Sequence, residues 1–249
     1  MVRRRDDGVL DMMMATCRRG NGGGRDVQAG DPGRTKSQSV EGRSPKITTT
    51  STRAQCVRLW QAWIPAEVGQ RMASVAAPWY VAAGRPCVWT PAHGPHDDLE
   101  IGVPRARFGE IVAAFPDFEW DVVGGGRIWP FPEQAAHHHQ TWLREPATGQ
   151  YRVDVFREPH VGDRWVCRRD ESITLPYDEM ILHTRDAIPY AIPEVALLFK
   201  AKALRDKDEA DFQRALPLMD RSRRSRLSEW LSRVHPGHPW LESISIHKY

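Results

Sequence analysis

The chain has no cysteine pair spaced like a metal clip. Its four cysteines, Cys17, Cys56, Cys87 and Cys167, are scattered, with no CxxC among them. That excludes zinc-finger and zinc-ribbon architectures and fits a reducing compartment, so the expected location is cytoplasmic. No apolar run reaches the 18 or so residues that a transmembrane helix needs, and a membrane partner is not expected. The opening "MVRRRDDGVLDMMMATCRRG" places Asp6, Asp7 and Asp11 where an export signal would carry its apolar core. There is no G-x-S-x-G nucleophile elbow. The triple glycine at 124–126 has neither the lysine nor the following helix of a phosphate-binding P-loop, and reads as a turn between strands. Internal repeats and heptads are absent.

Residues 1–55 contain no aromatic side chain, yet they hold eight of the 19 glycines. Such a segment cannot bury enough apolar surface to offset its ordering entropy, so it is expected to be disordered. A basic arm and an over-extended start are the alternatives. The segment carries 11 Lys/Arg against 6 Asp/Glu, a net +5, while the other 194 residues carry 24 against 26, a net −2. The folded part therefore lacks the basic excess of a nucleic-acid surface, and nucleic acid is not an expected partner.

From residue 56 onward the pattern is that of a folded domain rich in tryptophan. Val57, Leu59, Trp60, Trp63, Ile64, Val68, Met72 and Val75 follow helical spacing, with Pro65 placed to start a second helix. Strands are expected at 79–83 ("WYVAA"), 99–103 ("LEIGV"), 118–123, 127–131, 137–145, 150–158 and 164–169, with a hairpin turn at "PATG", 146–149. "PRARFGEIVAAF", 104–115, reads as a helix opened by Pro104, with Phe108, Ile111, Val112 and Phe115 on one face. After Pro193 the pattern becomes helical: "PEVALLFKAKAL", "KDEADFQRALPLM" and "SRRSRLSEWLSRV". Strands early and helices late imply an α+β fold. The expected organisation is a basic segment 1–55, an α+β domain 56–192 and a helical region 193–249.

Chemistry concentrates at "HDDLEIGV", 96–103. In a strand, residues i and i+2 share a face. Asp98 and Glu100 form such a pair, about 6–7 Å apart along the strand, with Leu99 and Ile101 turned into the core. Paired carboxylates suit a hard cation such as magnesium. "YRVDVF", 151–156, offers Asp154 as a third: Val153 and Val155 point one way, Arg152, Asp154 and Phe156 the other, and mid-strand aspartate is disfavoured without a reason. An exposed sheet face is the bland reason. "HHH", 137–139, reads as exposed strand, "RSRRSR", 221–226, as a solvated helix face, and "HPGHPW", 235–240, as a reversing turn onto which Trp240 packs.

The order of "WYVAAG", "HDDLEIGV", "YRVDVF" and "PEVALLFKAKALRDKDEADFQRALP" over about residues 57–241 resembles the nucleotidyltransferase superfamily, and within it the aminoglycoside 2″-adenylyltransferase-like group. The resemblance implies a mixed sheet flanked by helices, Mg2+ as cofactor and ATP as co-substrate. It also implies transfer of AMP to a hydroxyl of a small acceptor, either an aminoglycoside or another hydroxylated molecule. Asp98 and Glu100 are implied as magnesium ligands and Asp154 as the third carboxylate, either ligand or base. Lys200 or Lys202 would reach the triphosphate. Trp129, Trp142 and Trp165 are candidate lining of the acceptor cleft.

The sequence departs from the family pattern at "AAGRPCVWTPAHGPHDD". Of the usual glycine pair behind the first strand only Gly84 remains, and Pro86, Pro91 and Pro95 occupy the place of a helix they would break. Either a loop replaces the helix and Arg85 assists the phosphates, or the segment is damaged. In the latter case the chain is a catalytically impaired relative acting as a binding or regulatory partner.

Overall fold

The computed structural model describes residues 59–82 and 98–246. The expected disordered segment 1–55, and Gly84 and Arg85, lie outside the described residues. The fold is mixed α/β, built on an eight-stranded sheet with both parallel and antiparallel pairs, and seven α-helices occur among the described residues.

In chain order, helix α1 (Pro65–Arg71) precedes β1 (Tyr80–Val81), β2 (Glu100–Pro104) and helix α2 (Phe108–Ala113). Next come β3 (Glu119–Gly124), β4 (Arg127–Pro130), β5 (Gln140–Arg144), β6 (Tyr151–Glu158), β7 (His160–Val161), β8 (Arg164–Val166) and β9 (Thr174–Pro176). A short helix α3 (Tyr177–Met180) leads to β10 (Ile181–His183) and β11 (Pro189–Ala191). The chain then turns helical: α4 (Pro193–Lys200), α5 (Asp206–Ala215), α6 (Arg221–Val234) and α7 (Trp240–Ile246). The large sheet runs β10-β11-β1-β2-β6-β5-β3-β4, and β7-β8-β9 form a small antiparallel sheet. Within the large sheet, β1 with β11 and β2 with β6 are the parallel pairs.

Alternation along β2 and β6 sorts their side chains onto two faces. Ile101, Val103, Val153 and Val155 enter a core shared with α1 and α2, where Val68, Met72, Phe108 and Ile111 meet them. The opposite face carries Glu100, Asp154, Trp142 and Asp121, which lie in register across β2, β6, β5 and β3. Next to this row, α4 to α7 pack with Tyr80 and Trp165 in a second core. Trp240 stacks flat on Phe212 there, with ring centroids 4.3 Å apart. Gly237, at φ +77°, makes the turn that brings it back. Gly125 and Gly126, both at positive φ, close the two-residue hairpin between β3 and β4, a conformation that glycine enters without steric cost.

Several expectations change. Residues 60–64 are extended rather than helical: Gln61 N–H donates to Tyr151 O (3.0 Å) and Trp63 N–H to Arg152 O (3.1 Å), so the segment lies alongside the start of β6. Trp60 packs with Trp142 and Tyr151, whereas Trp63 packs with Phe115 and Phe118. An extended chain buried on both faces hides residues three apart on opposite sides, and that mimics helical spacing. Pro104 ends β2 instead of opening a helix; a 3-10 turn, Arg105–Arg107, intervenes. The strand expected at 164–169 stops at Val166, where Cys167 N–H turns to Ile173 O. The histidine run precedes its strand: His138 stacks on Trp129 and His139 on Phe156, both half-buried. The basic run on α6 is not simply solvated, because Arg223 and Arg226 both face the buried Glu194 at 3.4 Å.

Candidate active site

Glu100 opens β2, and its register partner on β6 is Asp154. Parallel pairing is tight here, with Asp154 N–H donating to Leu99 O at 2.8 Å. Asp98 lies one alternation before Glu100. The three residues offer carboxylate oxygens that all lie within 4.8 Å of one another. They descend from surface to interior: Asp98 is exposed, Glu100 half-buried, and Asp154 has 0 % exposure.

This crowding disturbs the ionisation of the group. Burial pushes the Glu100 carboxyl up to about 7, and the Asp98 charge adds to it, while Lys200 and Arg168 pull the other way. Burial, and then the Glu100 charge, hold Asp154 well above the usual carboxylate range. Both causes penalise the charged form. Asp154 Oδ2 accepts a hydrogen bond from Gln140 Nε2 at 2.5 Å. Its Oδ1 is buried and accepts no hydrogen bond of ordinary geometry, although the Trp142 indole lends the carboxylate a weak stabilising pull. A buried carboxylate oxygen without a normal donor, facing a half-desolvated glutamate, is the electrostatic complement of a cation. An all-oxygen donor set fits a hard ion of the magnesium class; zinc prefers nitrogen and sulfur.

Beside Glu100 opens a cleft of about 200 Å³. Its polar wall is mostly basic: Arg168, Arg169, Lys200 and Arg205 face it, against Glu100 and Glu158. Lys200 is the last residue of α4, and its ammonium is held from behind by two acids of α5, Asp208 at 3.6 Å and Asp211 in closer contact. The fully buried Asp208 also takes a two-pronged bond from Arg205, at 2.6 and 3.1 Å. Arg168 lies over the rings of Phe156 (4.9 Å) and Phe199 (4.3 Å) and pairs with the buried Glu158. Arg169 serves the fold, since its guanidinium donates to the carbonyls of Leu198 and Phe199 at the end of α4. Gly102, on the same face as Glu100, leaves room for Tyr80, whose ring would come within 2.3 Å of a Cβ at that position.

The structure thus brings Asp98, Glu100 and Asp154 together, and Glu100 and Lys200 line the cleft beside them. Lys202 is exposed and is not on the cleft wall. Trp142 and Trp165 are buried at 1 % and 0 % exposure, packed in the core rather than lining a cleft, and Trp129 is half-buried against His138. Residue-by-residue reading missed Gln140, Arg168, Arg205 and Asp208. Arg205 and Asp208 do fall within the charged "RDKDEADF" stretch, whereas nothing in the sequence singles out Gln140 or Arg168. Neither a protein-family model nor a curated protein matches this chain.

Proposed function

We propose that this chain is a magnesium-dependent nucleotidyltransferase, built on a nucleotidyltransferase-like fold, that moves AMP from ATP to a hydroxyl of a small molecule. The observation that carries this reading is the convergence of Asp98, Glu100 and Asp154 on one sheet face beside a basic-walled cleft. Carboxylates that destabilise one another when charged are relieved by a cation among them, and a basic wall next to such a cation suits a polyphosphate. Bound there, Mg2+ would supply charge neutralisation and Lewis-acid polarisation at the phosphates.

This chain's own residues then have distinct tasks. Asp98 and Glu100 hold the cation from the entrance of β2. Lys200 and Arg205, braced by Asp208, orient the phosphate tail, and Arg168 adds charge to the same cleft wall. The acceptor oxygen forms a bond to the α-phosphorus as the bond to the bridging oxygen breaks, so pyrophosphate leaves with that electron pair. Asp154 has one oxygen available, either to bind the cation or to take the hydroxyl proton. An aminoglycoside is a suitable acceptor class because a polycationic sugar is attracted to exposed acids such as Asp98.

The test is incubation of the full chain with Mg2+, α-labelled ATP and a panel of aminoglycosides and simple polyols, with pyrophosphate release followed in parallel. Acceptor-dependent label transfer, lost in Asp98→Asn and Asp154→Asn, is the expected result. Tight ATP binding without transfer to any acceptor would instead mark a nucleotide-binding partner protein. Transfer that persists in Asp154→Asn would remove the site.

A further inference from the structure

Asp154 sits mid-strand, with its backbone fixed by β2 on one side and β5 on the other. Its carboxylate still has side-chain torsions to settle. Burial alone does not settle them, because two chemically equal oxygens can exchange places by rotation. Beside the weak pull of the Trp142 indole, the donor of ordinary hydrogen-bond geometry is Gln140, and it takes Oδ2. This residue opens β5 and is paired with Val123 of β3 and Phe156 of β6, so its Cα is anchored on both sides. It lies two residues before Trp142, the direct partner of Asp154, and therefore on the same sheet face and on the diagonal to Asp154. A diagonal neighbour is about 7–8 Å away between Cα atoms, within the span of a glutamine side chain.

We propose that Gln140 is the positioning residue of the cation site: its amide holds Asp154 by Oδ2 and reserves Oδ1 for the bound ion. This rests on the metal-site reading above. The residue type fits the task. An amide N–H donates to a carboxylate without bringing a charge of its own. A lysine or arginine would neutralise Asp154 and compete with the cation, and a glutamate would offer only acceptors. Partners that orient a ligating carboxylate in this way commonly govern metal affinity by 10-fold to 100-fold.

The experiment measures Mn2+ binding to the full chain by electron paramagnetic resonance, without nucleotide, alongside the melting temperature of the metal-free protein. Gln140→Met keeps length and volume but removes the donor. Gln140→Asn keeps the amide but is one methylene too short to reach. Both are expected to weaken Mn2+ binding about tenfold or more, with melting temperatures close to wild type. Asp154→Asn serves as the control that loses the site itself. Either glutamine variant folding normally and binding Mn2+ within about twofold of wild type overturns the positioning role. Wild-type protein that binds no Mn2+ overturns the metal reading as well, so the two failures are distinguishable.

Discussion

Glu100→Gln should make the metal-free protein more stable at pH 8, although it removes a proposed ligand. Its carboxyl is pushed from an ordinary 4.5 up to about 7, first by burial and then by Asp98. A folded state that holds its proton more tightly than the unfolded chain loses stability as pH rises. The loss begins near the unfolded value of about 4.3–4.5 and is complete above about 7. At about 1.4 kcal/mol per pH unit, the penalty on the wild type at pH 8 is of order 3 kcal/mol. A buried glutamine amide recovers only part of this, so we expect Glu100→Gln to gain about 1–2 kcal/mol, or roughly 2–8 °C in melting temperature for a fold of this size. The measurement is urea denaturation in EDTA at pH 5 and pH 8. The advantage of Glu100→Gln should appear at pH 8 and shrink towards zero at pH 5. Excess Mg2+ should reverse the order at pH 8, because only the wild type then gains a neutralising ion. A variant less stable than wild type at pH 8 in EDTA, or an advantage equal at both pH values, would refute the reasoning.

Other perturbations test the frame around the site. Asp208→Asn strips the brace from Arg205 and leaves Lys200 with Asp211 alone; because Arg205 is largely exposed and Asp211 remains, the expected destabilisation is about 2–3 kcal/mol, a little under the usual cost of breaking a buried pair, read as a drop in urea midpoint together with a raised KM for ATP. Gly102→Ala drives a methyl into the Tyr80 ring and should cost about 1–3 kcal/mol by thermal melting, and a double-mutant cycle with Tyr80→Leu should show strong non-additivity. Mg2+ at about a hundred times its Kd should stabilise the wild type by about 2.7 kcal/mol, and the same addition should leave the melting temperature of Asp154→Asn almost unmoved.

Where the sequence pattern led to the right element, a periodicity belonged to one face. The alternation of "LEIGV" and "YRVDVF" was legible because β2 and β6 put all their branched aliphatics on the side covered by α1 and α2. The helices after Pro193 were legible because Pro193 occupies a first helical turn and because Asp220, by accepting from Arg223 N–H at 2.8 Å, caps the helix that follows. Reading failed where two faces were buried at once. Trp60 and Trp63 enter different cores from one extended segment, so their three-residue spacing carried the wrong period. It failed too at Pro104, since a proline between an apolar run and a helical stripe can end the first as well as start the second.

The site divides along the same line. Asp98, Glu100 and Asp154 could be named from sequence because each acid stands at or in an apolar strand pattern, where an acid is disfavoured without a reason, and that anomaly is visible in one dimension. Gln140, Arg168 and Asp208 could not be assigned a task that way. A glutamine opening a strand and an arginine after a cysteine are unremarkable choices, and their roles arise from register. Glu100, Asp154, Trp142 and Asp121 stand in one row only because β6 pairs parallel to β2 and antiparallel to β5. Shifting β5 by one residue would turn Gln140 and Trp142 to the other face. Asp154 would then lose its donor and its aromatic cover together. The chemistry of the third carboxylate is therefore set by a strand pairing that no local motif encodes, and the Gln140 variants test what that pairing delivers to Asp154.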